Sequence, residues 1–143
     1  MTILPTLTHM ALHVADLAAC AAFYESFCGM TPVHERCDGA CRVMWLAEPG
    51  HEQDFVFVLV SNGTRRDQPA DDYGHYGFAC DSKAAVDRLA ERGRAEGILA
   101  WPPRDAPYPV GYYCGLRDPD GNMVEFSYGQ PLGPGAEPIS TGD

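Results

Sequence analysis

The sequence has no concentration of positive charge. Ten Lys and Arg residues stand against twenty Asp and Glu, for a net charge of −10 with His neutral, and the basic residues form no stripe. Nucleic acid and anionic membrane surfaces are held through clustered cations, so neither is an expected partner. No apolar run approaches the roughly 20 residues of a membrane-spanning helix. The opening MTILPTLTHMALHV lacks the basic-then-apolar pattern of a secretory signal, which points to the cytoplasm. In that compartment the six cysteines, Cys20, Cys28, Cys37, Cys41, Cys80 and Cys114, are expected as reduced thiols, several of them buried. Cys37 and Cys41 are closely spaced, but no second cysteine pair completes a zinc site.

What is present suits a folded globular protein: 45% hydrophobic and 10% aromatic residues in 143, enough for one domain or two small modules. The chain reads as one unit written twice. In the first half, His9–Val14 is strand-like and Asp16 can cap a helix over Leu17–Phe27. Ala19, Ala22, Phe23 and Phe27 give that helix a buried stripe, and Gly29 ends it. Strand-like runs follow around Val33–Cys37, Cys41–Ala47 and Phe55–Val60. The second half repeats the order. A strand at His75–Cys80 precedes a helix at Lys83–Arg92, capped by Asp81 or Ser82 and ended by Gly93. Strands then fall near Ile98–Trp101, Tyr112–Leu116 and Met123–Tyr128, the last two joined by the RDPDGN hairpin.

The expected fold class is therefore α+β, with two paired βαβββ modules at residues 5–62 and 73–130 within a single domain, 1–130. The Pro/Gly-rich residues 131–143 have too little apolar content to pack well and are expected to form a mobile arm. A four-stranded module cannot bury both its faces alone. Pairing two of them is expected to leave a concave surface suited to a ligand.

Aligning the halves sets His9 on His75, each near the start of its module's first strand. Glu125 follows His75 by fifty residues, and the same offset from His9 reaches Leu59. Two imidazoles and a carboxylate with open positions form the facial set that binds one divalent transition ion. Fe2+, Mn2+, Zn2+, Co2+ and Ni2+ all suit such donors, and spacing does not choose among them. Each residue alone has an ordinary reading as a surface or core side chain. The equivalent places that all three occupy in the duplication are what favour metal.

The segments HMALHVADLAACAAFY, GHYGFAC and RDPDGNMVEF resemble those of the vicinal oxygen chelate superfamily, which includes glyoxalase I, extradiol dioxygenases, fosfomycin-resistance enzymes and bleomycin-resistance proteins. The resemblance covers roughly residues 5–130. It implies an open eight-stranded, barrel-like sheet around a metal held by His9, His75 and Glu125, frequently in a homodimer. It also implies a fourth ligand near Leu59, where the neighbours Val58 and Val60 are equally unable to ligate or move a proton. That departure counts against glyoxalase I chemistry. Gly115 stands where extradiol dioxygenases carry a tyrosine, and Ala11 where fosfomycin-type enzymes carry a threonine.

Strand alternation puts Ala11 and His13 on the face of His9, and Gly77 and Ala79 on that of His75. His13 is the candidate acid–base group, imidazole being the side chain best suited to proton transfer near neutral pH. Antiparallel pairing across the hairpin sets Gly115 opposite Glu125 and Tyr113 opposite Ser127, so Tyr113 could donate to a substrate oxyanion. Arg117 could take a substrate carboxylate, and Trp101, Tyr108 and Tyr112 could supply an aromatic wall. Cys114, on the opposite face from Tyr113, is expected to be a buried thiol.

Two functions are open at this point. One is a metal-dependent lyase, isomerase or ring-cleaving dioxygenase acting on a small oxygenated molecule. The other is a metal-free protein that sequesters a drug or metabolite.

Overall fold

Local signals at the chain's punctuation marks set the elements. The computed structural model describes residues 3–140. Asp16 accepts a hydrogen bond from the Ala19 amide at 3.0 Å and starts helix α1, Leu17–Cys28. Gly29, in the left-handed region at φ 70°, ends it. Ser82 starts α2, Lys83–Ala95, in the same way, accepting from the Ala85 amide at 3.1 Å.

The described residues also form eight strands. The first four are β1 (His9–His13), β2 (Thr31–Asp38), β3 (Cys41–Ala47) and β4 (Val56–Val60). The second four are β5 (Tyr76–Ala79), β6 (Leu99–Ala106), β7 (Gly111–Arg117) and β8 (Met123–Tyr128). They form two four-stranded sheets of one topology, β1-β4-β3-β2 and β5-β8-β7-β6. In each, the first strand runs parallel to the last and the other pairs are antiparallel. The class is α+β with two βαβββ modules, as the duplication implied. The chain divides between Asp67 and Gln68, inside the polar linker.

Each helix covers one face of its own sheet. On α1 the buried residues are Leu17, Cys20, Ala21, Phe23, Tyr24 and Phe27, and Tyr24 meets Phe57 of β4 edge-on at 5.3 Å. Ala22, expected in that stripe, is exposed, because the large aromatic side chains turn the buried face toward Cys20 and Tyr24. Helix α2 ends at Ala95, three residues past the expected end. Gly93 sits inside it, buried, where a Cβ would lie 2.8 Å from Cδ2 of Leu116. The glycine permits close helix–sheet approach instead of stopping the helix, so tertiary packing overrides its poor helix propensity. Strand β6 also runs further than expected, through Pro102 and Pro103. It is an edge strand and its pairing slips between Trp101 and Arg104, which is where proline is tolerated.

All six cysteines are free thiols. Cys114 faces α2, its thiol donating to the Val86 carbonyl at 3.8 Å, and burial pushes its pKa up from 9.0 to about 12. A raised folded-state value means that the native thiol holds its proton more tightly than the unfolded one. Its contribution to stability is complete below pH 9 and declines as the pH rises from there toward about 12. Alkaline denaturation curves should show this decline, and Cys114→Ala should flatten it. An unchanged slope would count against the assignment.

The last described residues, 131–140, expected as a mobile arm, touch module two at two places. Gly133 lies against Ala79, and the Ser140 amide donates to the Tyr108 hydroxyl at 2.8 Å.

Candidate metal centre

Module two brings two of the three expected ligands together. Gly77 pairs with Glu125 across β5 and β8, which sets His75, just before β5, beside the carboxylate. His75 Nε2 lies 3.8 Å from Glu125 Oε1. That is too long for a direct hydrogen bond. Two donors each about 2.1 Å from one ion can be at most about 4.2 Å apart, so the gap fits a shared ion. The other ring nitrogen fixes the tautomer. Nδ1 of His75 lies 2.8 Å from the Tyr73 carbonyl, which can accept but not donate, so Nδ1 carries a proton and the neutral imidazole has its lone pair on Nε2, toward Glu125. Glu125 is only 7% exposed, and among the described residues its polar partners are His75 and the Gln130 amide, neither a fixed cation. A buried carboxylate with no permanent counter-charge suits a metal ligand.

His75 is held by a residue that the sequence did not single out. Gln68 donates through Nε2 to the carbonyls of Asp72 and Gly74, and its Oε1 accepts from the Met123 amide at 3.0 Å. It thereby ties the segment before His75 to the start of β8. The RDPDGN hairpin is equally structural: Asp118 Oδ1 accepts from the amides of Asp120 and Asn122, each at 2.9 Å. The turn so fixed sets Gly115 opposite Glu125 and Tyr113 opposite Ser127.

His9 lies in module one, its Nδ1 3.0 Å from the Thr8 hydroxyl. It lines a cavity of about 380 Å³ with Ala11, Trp45, Phe55, Val58 and Arg36, among others. Among the described residues no three His, Cys, Asp or Glu side chains stand together as a metal group. The pair His75–Glu125 is what module two assembles by itself.

Strand register corrects the fourth position. Ala11 pairs with Val58 as Gly77 pairs with Glu125, so the counterpart of Glu125 is Val58 and not Leu59. Val58 faces the cavity, whereas Leu59 is fully buried on the opposite face with Phe57. Valine, like leucine, can neither ligate nor carry a proton.

The remaining candidates divide by sheet face. Trp101 stands beside His75: its indole lies over Gly115, where a Cβ would come within 2.4 Å of Cε3, and it meets His75 edge-on at 5.7 Å and Tyr113 at 6.4 Å. His13 ends β1, exposed, in register with Val60. Tyr112 points the other way. Its hydroxyl donates to Asp87 of α2 and Lys83 lies over its ring, because neighbours on a strand alternate faces. Tyr108 is 57% exposed. Arg117 donates through Nη1 to the carbonyls of Gln68 at 2.9 Å and Gly121 at 3.2 Å, clamping linker to hairpin. The structure thus shows Tyr112 bonded to α2 and Arg117 bonded to the linker and the hairpin.

The model of the Glyoxalase/Bleomycin resistance protein/Dioxygenase superfamily matches residues 6–126. The chain belongs to that superfamily. It is 63% identical over 135 residues to an uncharacterized protein of Pseudomonas aeruginosa, covering 94% of this chain and 96% of that one. Solved structures share the superfamily fold at lower identity. A glyoxylase/bleomycin resistance protein/dioxygenase domain from Frankia sp. EAN1pec matches with a TM-score of 0.69 at 22% identity, covering 90% of this chain and all of that one. A point mutant of the fosfomycin resistance protein FosX from Listeria monocytogenes, complexed with Mn(II) and 1S,2S-dihydroxypropylphosphonic acid, matches at 0.68 and 22%, covering 87% and 93%. The trypanothione-dependent glyoxalase I of Leishmania major matches at 0.67 and 20%, covering 87% and 86%. No helix among the described residues is long and apolar enough to cross a membrane.

Proposed function

We propose that this superfamily member is a metal-dependent enzyme acting on a small oxygenated metabolite, of the lyase/isomerase or the ring-cleaving dioxygenase type. In this reading His9, His75 and Glu125 hold one divalent transition ion, in a cytoplasmic homodimer. The observation that carries it is the His75–Glu125 pair, with an oriented lone pair 3.8 Å from a buried carboxylate. Such an ion would polarise a substrate oxygen or acidify a bound water. The chain's own residues supply the rest. Trp101 stands edge-on beside His75 and walls one side of the site. Tyr113, on the face of Glu125, donates a hydrogen bond to a substrate oxygen as negative charge develops on it. His13, on the face of His9, takes up or returns the proton. Val58 leaves no second carboxylate to do so, which disfavours glyoxalase I chemistry.

The cavity of module one favours a second reading, a metal-free protein that sequesters a small molecule. At about 380 Å³ it has the size of a ligand pocket, and its lining is mainly apolar and aromatic. Elemental analysis separates the two. Protein purified without added metal is expected to carry about one equivalent of a transition metal. Less than about a tenth of an equivalent, unchanged by reconstitution, would overturn the enzyme reading. If the metal is iron, oxygen uptake with catechols supports the dioxygenase branch, and its absence supports the lyase or isomerase branch.

A further inference from the structure

The two oxygens of Glu125 face different partners. Oε1 is the one 3.8 Å from His75 Nε2, while Oε2 lies 3.4 Å from the side-chain amide of Gln130. Gln130 lies two residues beyond the end of β8, and the chain turns there through Gly129, at φ 94° in the left-handed region. That turn packs on Gly111, itself at φ 75°. A Cβ on Gly111 would stand 2.5 Å from the Tyr128 carbonyl and 3.3 Å from the Gln130 amide nitrogen. Beyond Gln130 the chain is anchored again, by Gly133 on Ala79 and Ser140 on Tyr108. The side chain is therefore delivered to the carboxylate by backbone fixed on both sides.

We infer that Gln130 is a positioning residue that holds Oε2 of Glu125 and so presents Oε1 as the single ligating oxygen. The inference rests on the metal reading above. Its chemistry follows from the choice of an amide. A Lys or Arg donor would neutralise the carboxylate and compete with the ion, whereas a neutral N–H orients one oxygen and leaves the negative charge for the metal. Partners of this kind change metal affinity by about 10–100-fold when removed.

Co2+ is the probe, because its visible absorption reports coordination number and carboxylate binding mode. Gln130→Ala and the volume-matched Gln130→Met, both in the full chain, are expected to weaken Co2+ binding by about tenfold or more and to alter the visible spectrum. The melting temperature of the metal-free protein should stay at its unsubstituted value. If Gln130→Met keeps the original affinity and spectrum, the side chain acts by packing and the inference fails. It fails too if both variants lower the metal-free melting temperature in step with affinity. Glu125→Ala separates the two levels. If it keeps the Co2+ affinity, or if the unsubstituted protein takes up no Co2+, the metal reading itself is wrong. If Glu125→Ala loses the ion while both Gln130 variants behave as the unsubstituted protein, the metal reading stands and the role of Gln130 falls.

Discussion

Glu125→Ala is expected to strip the protein of tightly held metal and to leave both modules folded. The carboxylate is the only anion in the proposed set, so its loss removes one donor of three and the charge that offsets the ion. A loss of roughly 4 kcal/mol, about a thousandfold in affinity, is a modest share of the 10–16 kcal/mol typical of a complete protein zinc site. The fold has little stake in this side chain. β8 is paired on both edges through its backbone, and the buried carboxylate has no fixed cation beside it among the described residues. Removing such a charge relieves desolvation instead of leaving a partner charge stranded. The check is metal content by elemental analysis beside a thermal melt of metal-free protein. Stoichiometric metal in the variant would show that the ligand assignment is wrong, and an unfolded variant would make Glu125 a structural residue.

The second large effect is expected at Gly115. Its backbone is ordinary strand, so the glycine is not there for a positive φ. It is there because the Trp101 indole occupies the space above it. A Cβ would lie 2.4 Å from Cε3 and 2.7 Å from Cδ2, far inside the roughly 3.5–4.0 Å of normal carbon contact. Gly115→Ala must push the ring outward, and the ring leans on His75 and Tyr113. Overpacking of this kind costs about 1–3 kcal/mol, against a strand gain from glycine to alanine of about 0.5–1 kcal/mol. The net expectation is a melting temperature lower by about 2–6 °C, together with a shifted tryptophan emission. Trp101→Leu in the same chain should recover most of the loss, since the smaller side chain vacates the contested space. If Gly115→Ala leaves both melting and emission unchanged, the indole does not sit over the glycine.

Much of this architecture was legible in the chain alone, and for local reasons. Asp16 and Gly29 bracket α1, Ser82 starts α2, and Cys41–Ala47 and Met123–Tyr128 carry strand patterns whose limits match the strands found. Caps, turns and period-two alternation act over a few residues, so a linear reading finds them. The duplication followed from their order, and with it the equivalence of His9 and His75. The pairing of Gly115 with Glu125 was readable too, because the Asp-Gly turn fixes register across a short hairpin.

Where counting along the chain replaced pairing, the reading slipped. A fifty-residue offset reached Leu59, but the path from β1 to β4 is one residue shorter than that from β5 to β8, and hydrogen-bonded register selects Val58. One residue in a strand moves a side chain to the opposite face, which separates a cavity-lining valine from a core leucine. Gly93 looked like a helix end because its propensity is poor, yet contact with Leu116 keeps it inside α2. Gln68 and Gln130 carry no sequence signal at all. A glutamine in a linker and another at the start of a Pro/Gly-rich tail acquire meaning only when the fold sets their amides beside His75's segment and Glu125. The order of residues was enough to specify the elements, their doubled arrangement and the histidines and carboxylate proposed as ligands. Folding decided which oxygen and which nitrogen face each other, what holds them, and which aromatic ring stands beside them. Those outcomes depend on contacts between residues far apart in the chain, which no local pattern encodes.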